Sequence, residues 1–132
     1  MLFRSLENVG RTPPEFARAT QHLSFRPGWA DEHPDELEAL LRDRLEFPTP
    51  PECWRAQYDA CAEWGARNTP VEEIEAPTLV VHGDADRIVP YANGVELARR
   101  TGARFETFAG AGHLLFIEEP ARFNALVTEF LT

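Results

Sequence analysis

The sequence predicts an α/β fold in which a helical first half is followed by a strand, helix, strand, helix unit. Two observations support this prediction. Most of the eleven prolines lie before residue 76 and separate segments that show helical periodicity. After that residue, two short strand-like runs alternate with amphipathic segments, which is the order of a parallel crossover unit.

Three helices of the first half are predicted from weak stripes, prolines and caps. Residues 13–22 form a first helix with only a weak apolar stripe. From Pro34 the apolar residues recur with helical spacing, and proline suits the first helical position. The residues of this stripe are Leu37, Leu40, Leu41 and Leu45. A capping pattern at residues 69–72 predicts one more short helix.

A further helix between these is unusually aromatic. Thr49 and Glu52 have the spacing of a capping box, in which each side chain bonds the other residue's backbone N–H. Trp54, Tyr58 and Trp64 then follow one side of the helix. Two roles stay open for these aromatic side chains: packing against other helices, or forming a wall over an apolar substrate pocket.

The second half contains the predicted sheet. Residues 78–82 are a continuous apolar run rich in β-branched side chains, typical of an interior parallel strand. A helix over 91–100 ends at Gly102, and residues 103–108 alternate polar and apolar as an edge-proximal strand does. A last helix begins at Pro120. Because only one other strand is visible, the interior strand has an open edge, through which we expect self-association.

The composition narrows the range of partners. With 13 Lys and Arg against 22 Asp and Glu, the net charge is −9, which disfavours nucleic acid and anionic membranes and favours a small-molecule substrate. No run is long enough to span a membrane and residues 1–7 lack a signal-peptide core, so a cytoplasmic location is expected. Cys53 and Cys61 lie roughly 12 Å apart on a straight helix. That excludes a disulfide, and buried or half-buried thiols are expected.

Two loops follow the predicted strands, residues 83–90 and residues 109–113. In parallel sheets the groups that handle ligands gather beyond the carboxyl ends of the strands. Asp86 and His113 would therefore meet if the strands are neighbours, giving an orienting carboxylate beside a general base. Glycines at 110 and 112 let the second loop turn the imidazole toward the first.

These residues resemble the end of the α/β-hydrolase fold. Residues 77–90 (PTLVVHGDADRIVP) are similar to the seventh strand and catalytic-acid loop of that family, and residues 110–120 (GAGHLLFIEEP) to its catalytic-histidine loop. The part before residue 70 resembles the rear of the helical lid that many members insert. The resemblance implies a partial α/β-hydrolase fold, with a lid segment over 1–75 and the C-terminal part of the core over 76–132.

The resemblance also implies roles for individual residues. Asp86 would be the catalytic acid and His113 the base, with Asp84 the alternative acid. Asp84 directly follows the glycine turn and is suited to local hydrogen bonding. His82 is expected to be structural. The side chains expected to line a substrate pocket are Trp54, Tyr58, Trp64 and Leu114. No metal or organic cofactor is implied.

The nucleophile of that family has no counterpart in this sequence. Members present it as a serine in a Gly-x-Ser-x-Gly turn, ahead of the acid and the histidine. The chain has only Ser5 and Ser24, and neither lies in such a motif. We therefore expect the C-terminal portion of a Ser-His-Asp hydrolase for a small ester, lactone or similar substrate, with its serine upstream of residue 1. The alternative is a complete non-catalytic binding module that has kept the acid and the histidine.

Overall fold

The computed structural model describes residues 12–67 and 69–132, with only the backbone described for Pro13, Pro51, Trp54 and Ala66. The first part of the predicted lid, including Ser5, lies outside the described residues. No helix among the described residues is long and apolar enough to cross a membrane.

The order of helices and strands confirms the predicted α/β class. The helices are α1 (Pro13–Thr20), α2 (Trp29–Glu32), α3 (Pro34–Glu46), α4 (Pro51–Ala66), α5 (Tyr91–Thr101), α6 (Leu115–Glu118) and α7 (Pro120–Leu131). The strands are β1 (Leu79–Gly83) and β2 (Arg104–Phe108). Short 3-10 turns cover Gln21–Ser24 and Val71–Glu73.

Local sequence explains how the first helices start. α1 is capped by Thr12, which forms a reciprocal capping box with Glu15. α3 begins at Pro34, as predicted, because a proline at the first position costs no intrahelical hydrogen bond. Gly28, at φ +87°, precedes the four-residue helix α2. A helix this short gives no periodic apolar pattern, so the sequence did not predict it.

The capping box predicted for α4 is wrong. The helix begins at Pro51, and its N-cap is Pro50 with an extended ψ of 143°. A residue that precedes a proline is disfavoured in helical conformation, so Pro50 cannot be the first helical residue. Thr49 and Glu52 therefore lie one position too early for the N-cap and N3 roles.

Two further expectations for the first half are wrong. The pattern at residues 69–72 gives only the 3-10 turn Val71–Glu73, because the capping position falls on Pro70, which has no side-chain donor or acceptor. Cys53 and Cys61 are exposed free thiols, not buried or half-buried ones. Their exposure follows from α4 itself, where Tyr58 is the one described residue that is not exposed.

β1 and β2 form a parallel two-stranded sheet, with Leu79 opposite Arg104 and Gly83 opposite Phe108. Both predicted strands are found to within one residue at each end. The crossover helix α5 ends at Gly102, whose φ of +67° favours glycine. Among the described residues β1 pairs with β2 alone, which leaves the other edge of β1 open.

The main apolar cluster lies where α7 and the loop after β2 pack on the sheet. Its most buried members are Phe108, Ala111 and Leu115, and Phe108 is completely buried. Half-buried side chains cover this cluster: Val81, Phe123 and Leu126. Phe25 and Trp29 form a second buried group, with parallel rings 3.9 Å apart. Both groups lie beside the loop that carries the histidine.

Candidate active site

The loop that carries the predicted acid begins where β1 ends. The Asp86 amide donates to the Gly83 carbonyl at 3.2 Å, which closes a tight turn. Asp86 Oδ1 then accepts from the amides of Ile88 at 2.7 Å and Val89 at 2.9 Å. The side chain is only 4% exposed. These bonds fix the orientation of the carboxylate and leave Oδ2 for other partners.

The predicted base reaches this free oxygen from the loop after β2. His113 Nδ1 lies 2.9 Å from Asp86 Oδ2. An ionised carboxylate only accepts, so Nδ1 carries a proton, and in the neutral imidazole Nε2 then has a free lone pair. The imidazole is 39% exposed, and Nε2 has no hydrogen-bond partner in the described part of the chain. Such a nitrogen is suited to take a proton from a hydroxyl.

Close contact between the two loops allows this short distance. The Ala85 amide donates to the Ala111 carbonyl at 3.0 Å. A Cβ on Gly83 would lie 2.2 Å from the same carbonyl oxygen, so only glycine fits there. Asp84 Oδ1 accepts from the amide of Gly110, which has a φ of +79°. Asp84 therefore holds the backbone of the histidine loop.

His82 makes a second contact to the acid, which the sequence patterns did not predict. Its Nε2 lies 3.3 Å from Asp86 Oδ2 and 3.2 Å from the Val89 carbonyl oxygen. The hydrogen-bond partner is the Val89 carbonyl, an acceptor, so Nε2 carries a proton and donates there, while Asp86 Oδ2 lies close to the same nitrogen. The ring is held on its other side by α5, where a Cβ on Gly94 would lie 2.4 Å from Nδ1. The available signal was the position of this histidine at the end of β1, four residues before the acid.

The other predicted site residues are spread along the chain. Trp64 is 59% exposed and Tyr58 is half-buried on α4, and the side chain of Trp54 lies outside what the structure describes. Leu114 is half-buried directly after the histidine, and its amide donates to the Ser24 carbonyl at 2.8 Å. Leu114 adjoins His113 because the two are consecutive in the sequence, and its backbone is tied to Ser24. The aromatic wall over a pocket stays a prediction.

A cleft of about 260 Å³ lies beside the histidine loop. It is lined by Arg26, Trp29, His33, Ala109, Gly110, Ala111, Glu118 and Glu119. Of these, Arg26 forms a side-chain hydrogen bond with Glu32, which raises the pKa of Arg26 and lowers that of Glu32. No group of three or more His, Cys, Asp or Glu side chains suited to a metal ion occurs among the described residues.

Sequence comparison identifies relatives of the chain. Residues 2–126 match the sequence model of a family described as the alpha/beta hydrolase family. The chain is 35% identical over 118 residues to a 2-hydroxymuconate semialdehyde hydrolase of Pseudomonas sp. strain CF600. This alignment covers 89% of this chain and 36% of that protein. It is 42% identical over 60 residues to a 2-hydroxy-6-oxononadienedioate/2-hydroxy-6-oxononatrienedioate hydrolase of Paraburkholderia xenovorans strain LB400. That alignment covers 45% of this chain and 21% of that protein.

Comparison with solved structures also finds a hydrolase. The enol-lactonase from Burkholderia xenovorans LB400 has a TM-score of 0.75 and 27% identity, over 97% of this chain and 47% of that one. The chain thus spans about half the length of this solved structure and at most 36% of the two curated relatives. Because the family match extends over residues 2–126, the chain belongs to the alpha/beta hydrolase family.

Proposed function

We propose that this chain supplies the acid and the base of a hydrolase acting on a small ester, lactone or similar substrate. The observation that carries the proposal is the bond between His113 Nδ1 and Asp86 Oδ2, which leaves Nε2 free. Such an arrangement matches two members of a nucleophile, histidine and acid triad. The nucleophile would be a serine on a polypeptide segment other than residues 1–132.

The chemistry divides between the two side chains. His113 Nε2 takes the proton of the serine hydroxyl as its oxygen attacks the substrate carbonyl, and later gives that proton to the leaving group. Asp86 keeps the Nδ1–H tautomer and stabilises the imidazolium that forms. Its own orientation comes from the amides of Ile88 and Val89, which hold Oδ1. A buried, fixed carboxylate of this kind needs little rearrangement during the reaction.

Two features support a nucleophile from another segment. Ser5 and Ser24 are the only serines of the chain, and neither has the glycine neighbours of a nucleophile turn. β1 has an open edge among the described residues, and a further parallel strand from another segment would pair there. We propose that this strand belongs to the segment with the serine. The complex of both segments, or the continuous chain containing them, is called the assembled enzyme below.

The names of the relatives suggest the substrate class. Those proteins are described as hydrolases of 2-hydroxymuconate semialdehyde and of oxononadienedioates, and as an enol-lactonase. We propose that this chain serves a small carbonyl compound or lactone of that general kind. Leu114, beside the histidine, and the aromatic side chains of α4 would contact its apolar part.

The reading frame upstream of the Met1 codon is the cheapest test. We expect it to continue and to encode a strand followed by Gly-x-Ser-x-Gly. The assembled enzyme should then release p-nitrophenol from p-nitrophenyl acetate in a burst, because an acyl-enzyme accumulates. His113→Ala should abolish the burst, and Arg100→Met, a control at a residue whose side chain binds the Thr69 carbonyl away from the site, should not. A stop codon directly upstream, together with an inactive chain, would contradict the proposal and favour a non-catalytic module.

A further inference from the structure

We infer that residues 22–26, which lie in the predicted lid segment, position both catalytic loops through the side chains of Arg87 and Glu118. Residues 22–26 are called the brace below. The inference rests on the proposed function, since it assigns a role in the same site. It makes Arg87 and Glu118 positioning residues, because neither touches the reacting atoms.

The brace is bonded to the acid loop through Arg87, the residue next to Asp86. One guanidinium nitrogen, Nη2, donates to the His22 carbonyl at 2.6 Å and to the Phe25 carbonyl at 3.1 Å. Two carbonyls of the brace thus converge on one charged donor. These bonds join residues more than sixty positions apart, so they fix the loop against a distant part of the chain.

The brace is bonded to the histidine loop on both sides of His113. On one side, the Leu114 amide donates to the Ser24 carbonyl at 2.8 Å. On the other side, Glu118 Oε1 accepts from the Gly112 amide and from the Arg26 amide, each at 3.0 Å. The backbone of the base is therefore held to the brace at the residue before it and at the residue after it.

Packing between the brace and the histidine loop is tight. A Cβ on Gly112 would lie 2.5 Å from the Phe25 carbonyl carbon and 2.6 Å from the Arg26 nitrogen, so only glycine fits at that position. Phe25 is completely buried and its ring stacks on Trp29. The brace is thus part of the interior around the site, and a shift of the brace would move the histidine loop.

The burial of the Glu118 side chain and of the Arg87 Nε atom supports a positioning role. The Glu118 side chain is 2% exposed, and its Oε2 has no hydrogen-bond partner in the described part of the chain. The nearest cation is Arg26, whose Nε lies 3.8 Å away. Arg87 Nε is likewise buried without a partner among the described residues. Burying such groups is costly, so the bonds that they make to the brace and loops must offset the cost.

The test compares two arginines that both bind backbone carbonyls. Arg87→Met removes the donor to the brace at similar side-chain length, and Arg87→Lys restores one charged donor. Arg100→Met is the matched control, because Arg100 donates to the Thr69 carbonyl at 2.9 Å and its side chain makes no described hydrogen bond to either catalytic loop. The readouts are kcat and KM of the assembled enzyme and the NMR signal of the Nδ1-bound proton of His113 in the 132-residue chain.

We expect Arg87→Met to lower kcat by about 10- to 100-fold with a smaller change in KM, since a displacement of about 1 Å costs that much. The His113 proton signal should be lost to exchange with water, and Arg87→Lys should recover part of both. Glu118→Gln, which keeps an oxygen acceptor, should change kcat less than Glu118→Leu. Arg100→Met should leave kcat and the signal unchanged.

Three outcomes separate the claims. Wild-type kcat and proton signal in Arg87→Met would overturn the brace while leaving the proposed function intact. Equal losses in Arg87→Met and Arg100→Met would also overturn the brace, since general destabilisation would then explain both. An assembled enzyme that stays fully active as His113→Ala would overturn the proposed function, and the positioning role with it.

Discussion

The loop pair after β1 and β2 differs sharply from helix α4, although the sequence pointed to both as parts of one site. In the loops, the Asp86 side chain is 4% exposed and its oxygens contact two amides and two histidines. On α4, Trp64 is 59% exposed. The ion pair between Arg55 and Asp59 stays within that helix, at i,i+4. The loops are fixed by contacts inside this chain.

The difference shows where each kind of side chain finds its partners. The acid and the base each follow a strand end closely, and contacts within this chain, including those of residues 22–26, hold both loops, so this pair forms in this chain. An aromatic helix face needs a second surface to cover it, and among the described side chains of α4 Trp64 is exposed and Tyr58 is half-buried. Activity and stability should therefore depend on the two loops much more than on α4.

The largest effect is expected at the acid. In the assembled enzyme, Asp86→Asn should lower kcat by about 10⁴-fold, because an amide no longer holds the productive tautomer or stabilises the imidazolium. Asp84→Asn, the matched control, keeps an oxygen that accepts from Gly110 and should change kcat little. Steady-state kinetics with a p-nitrophenyl ester measures both. If kcat fell equally in both variants, Asp86 could not be assigned as the catalytic acid in preference to Asp84.

Stability should divide between the same two regions. Leu115→Ala should lower the free energy of unfolding by about 2–5 kcal/mol, because Leu115 is buried in the cluster beneath the histidine loop. Trp64→Ala should change it by no more than about 0.5 kcal/mol, as expected for an exposed position. Urea titration of the 132-residue chain measures both. A loss at Trp64 as large as that at Leu115 would mean that α4 is covered in solution.

Substituting one glycine behind the acid loop and one on α4 should change stability in opposite directions, by smaller amounts. Gly94→Ala should destabilise the chain by about 1–3 kcal/mol, since the added Cβ would lie 2.4 Å from His82 Nδ1. Gly65→Ala on α4 should stabilise it by about 0.4–1 kcal/mol, because nothing lies within 4 Å of the added Cβ. Thermal melts show both signs. A neutral Gly94→Ala would contradict the close packing behind His82.

The smallest effect concerns acid pH. The side-chain hydrogen bond from Arg100 lowers the pKa of Glu72 below its ordinary 4.5. A carboxyl with a depressed folded-state pKa stabilises the protein above its unfolded value, and that contribution is lost as pH falls through the folded value. Glu72→Gln should therefore make unfolding slightly less sensitive to pH below about 4.5. Urea titrations at several pH values measure this. If the free energy of unfolding fell equally with acid pH in the variant and the wild type, solvent would be screening the ion pair completely.

Short-range patterns predicted the second half of the fold well. The apolar run at 78–82 and the alternation at 103–108 gave both strands to within one residue, because burial imposes those patterns on strands. α2 and α6 were missed, since four residues are too few to show a helical period. The capping box predicted at Thr49 failed because two consecutive prolines delayed the helix start by one residue.

Long-range contacts could not be predicted from these patterns. The bond between Arg26 and Glu118 joins residues 92 positions apart, and neither residue lies in a periodic segment that points to the other. The contact of His82 with Asp86 depends on how sharply the chain turns after Gly83. The glycine suggests such a turn, but it does not determine the orientation of the His82 ring. The acid and the histidine loops were found because each follows a strand end.

The central claim is that Asp86 and His113 act on a nucleophile that lies outside residues 1–132. The most direct measurement is the pre-steady-state release of p-nitrophenol from p-nitrophenyl acetate by the purified 132-residue chain and by the assembled enzyme. We predict no burst from the 132-residue chain alone, and a burst from the assembled enzyme that His113→Ala abolishes. A burst from the 132-residue chain that His113→Ala abolishes would contradict the claim, because the nucleophile would then lie within this sequence.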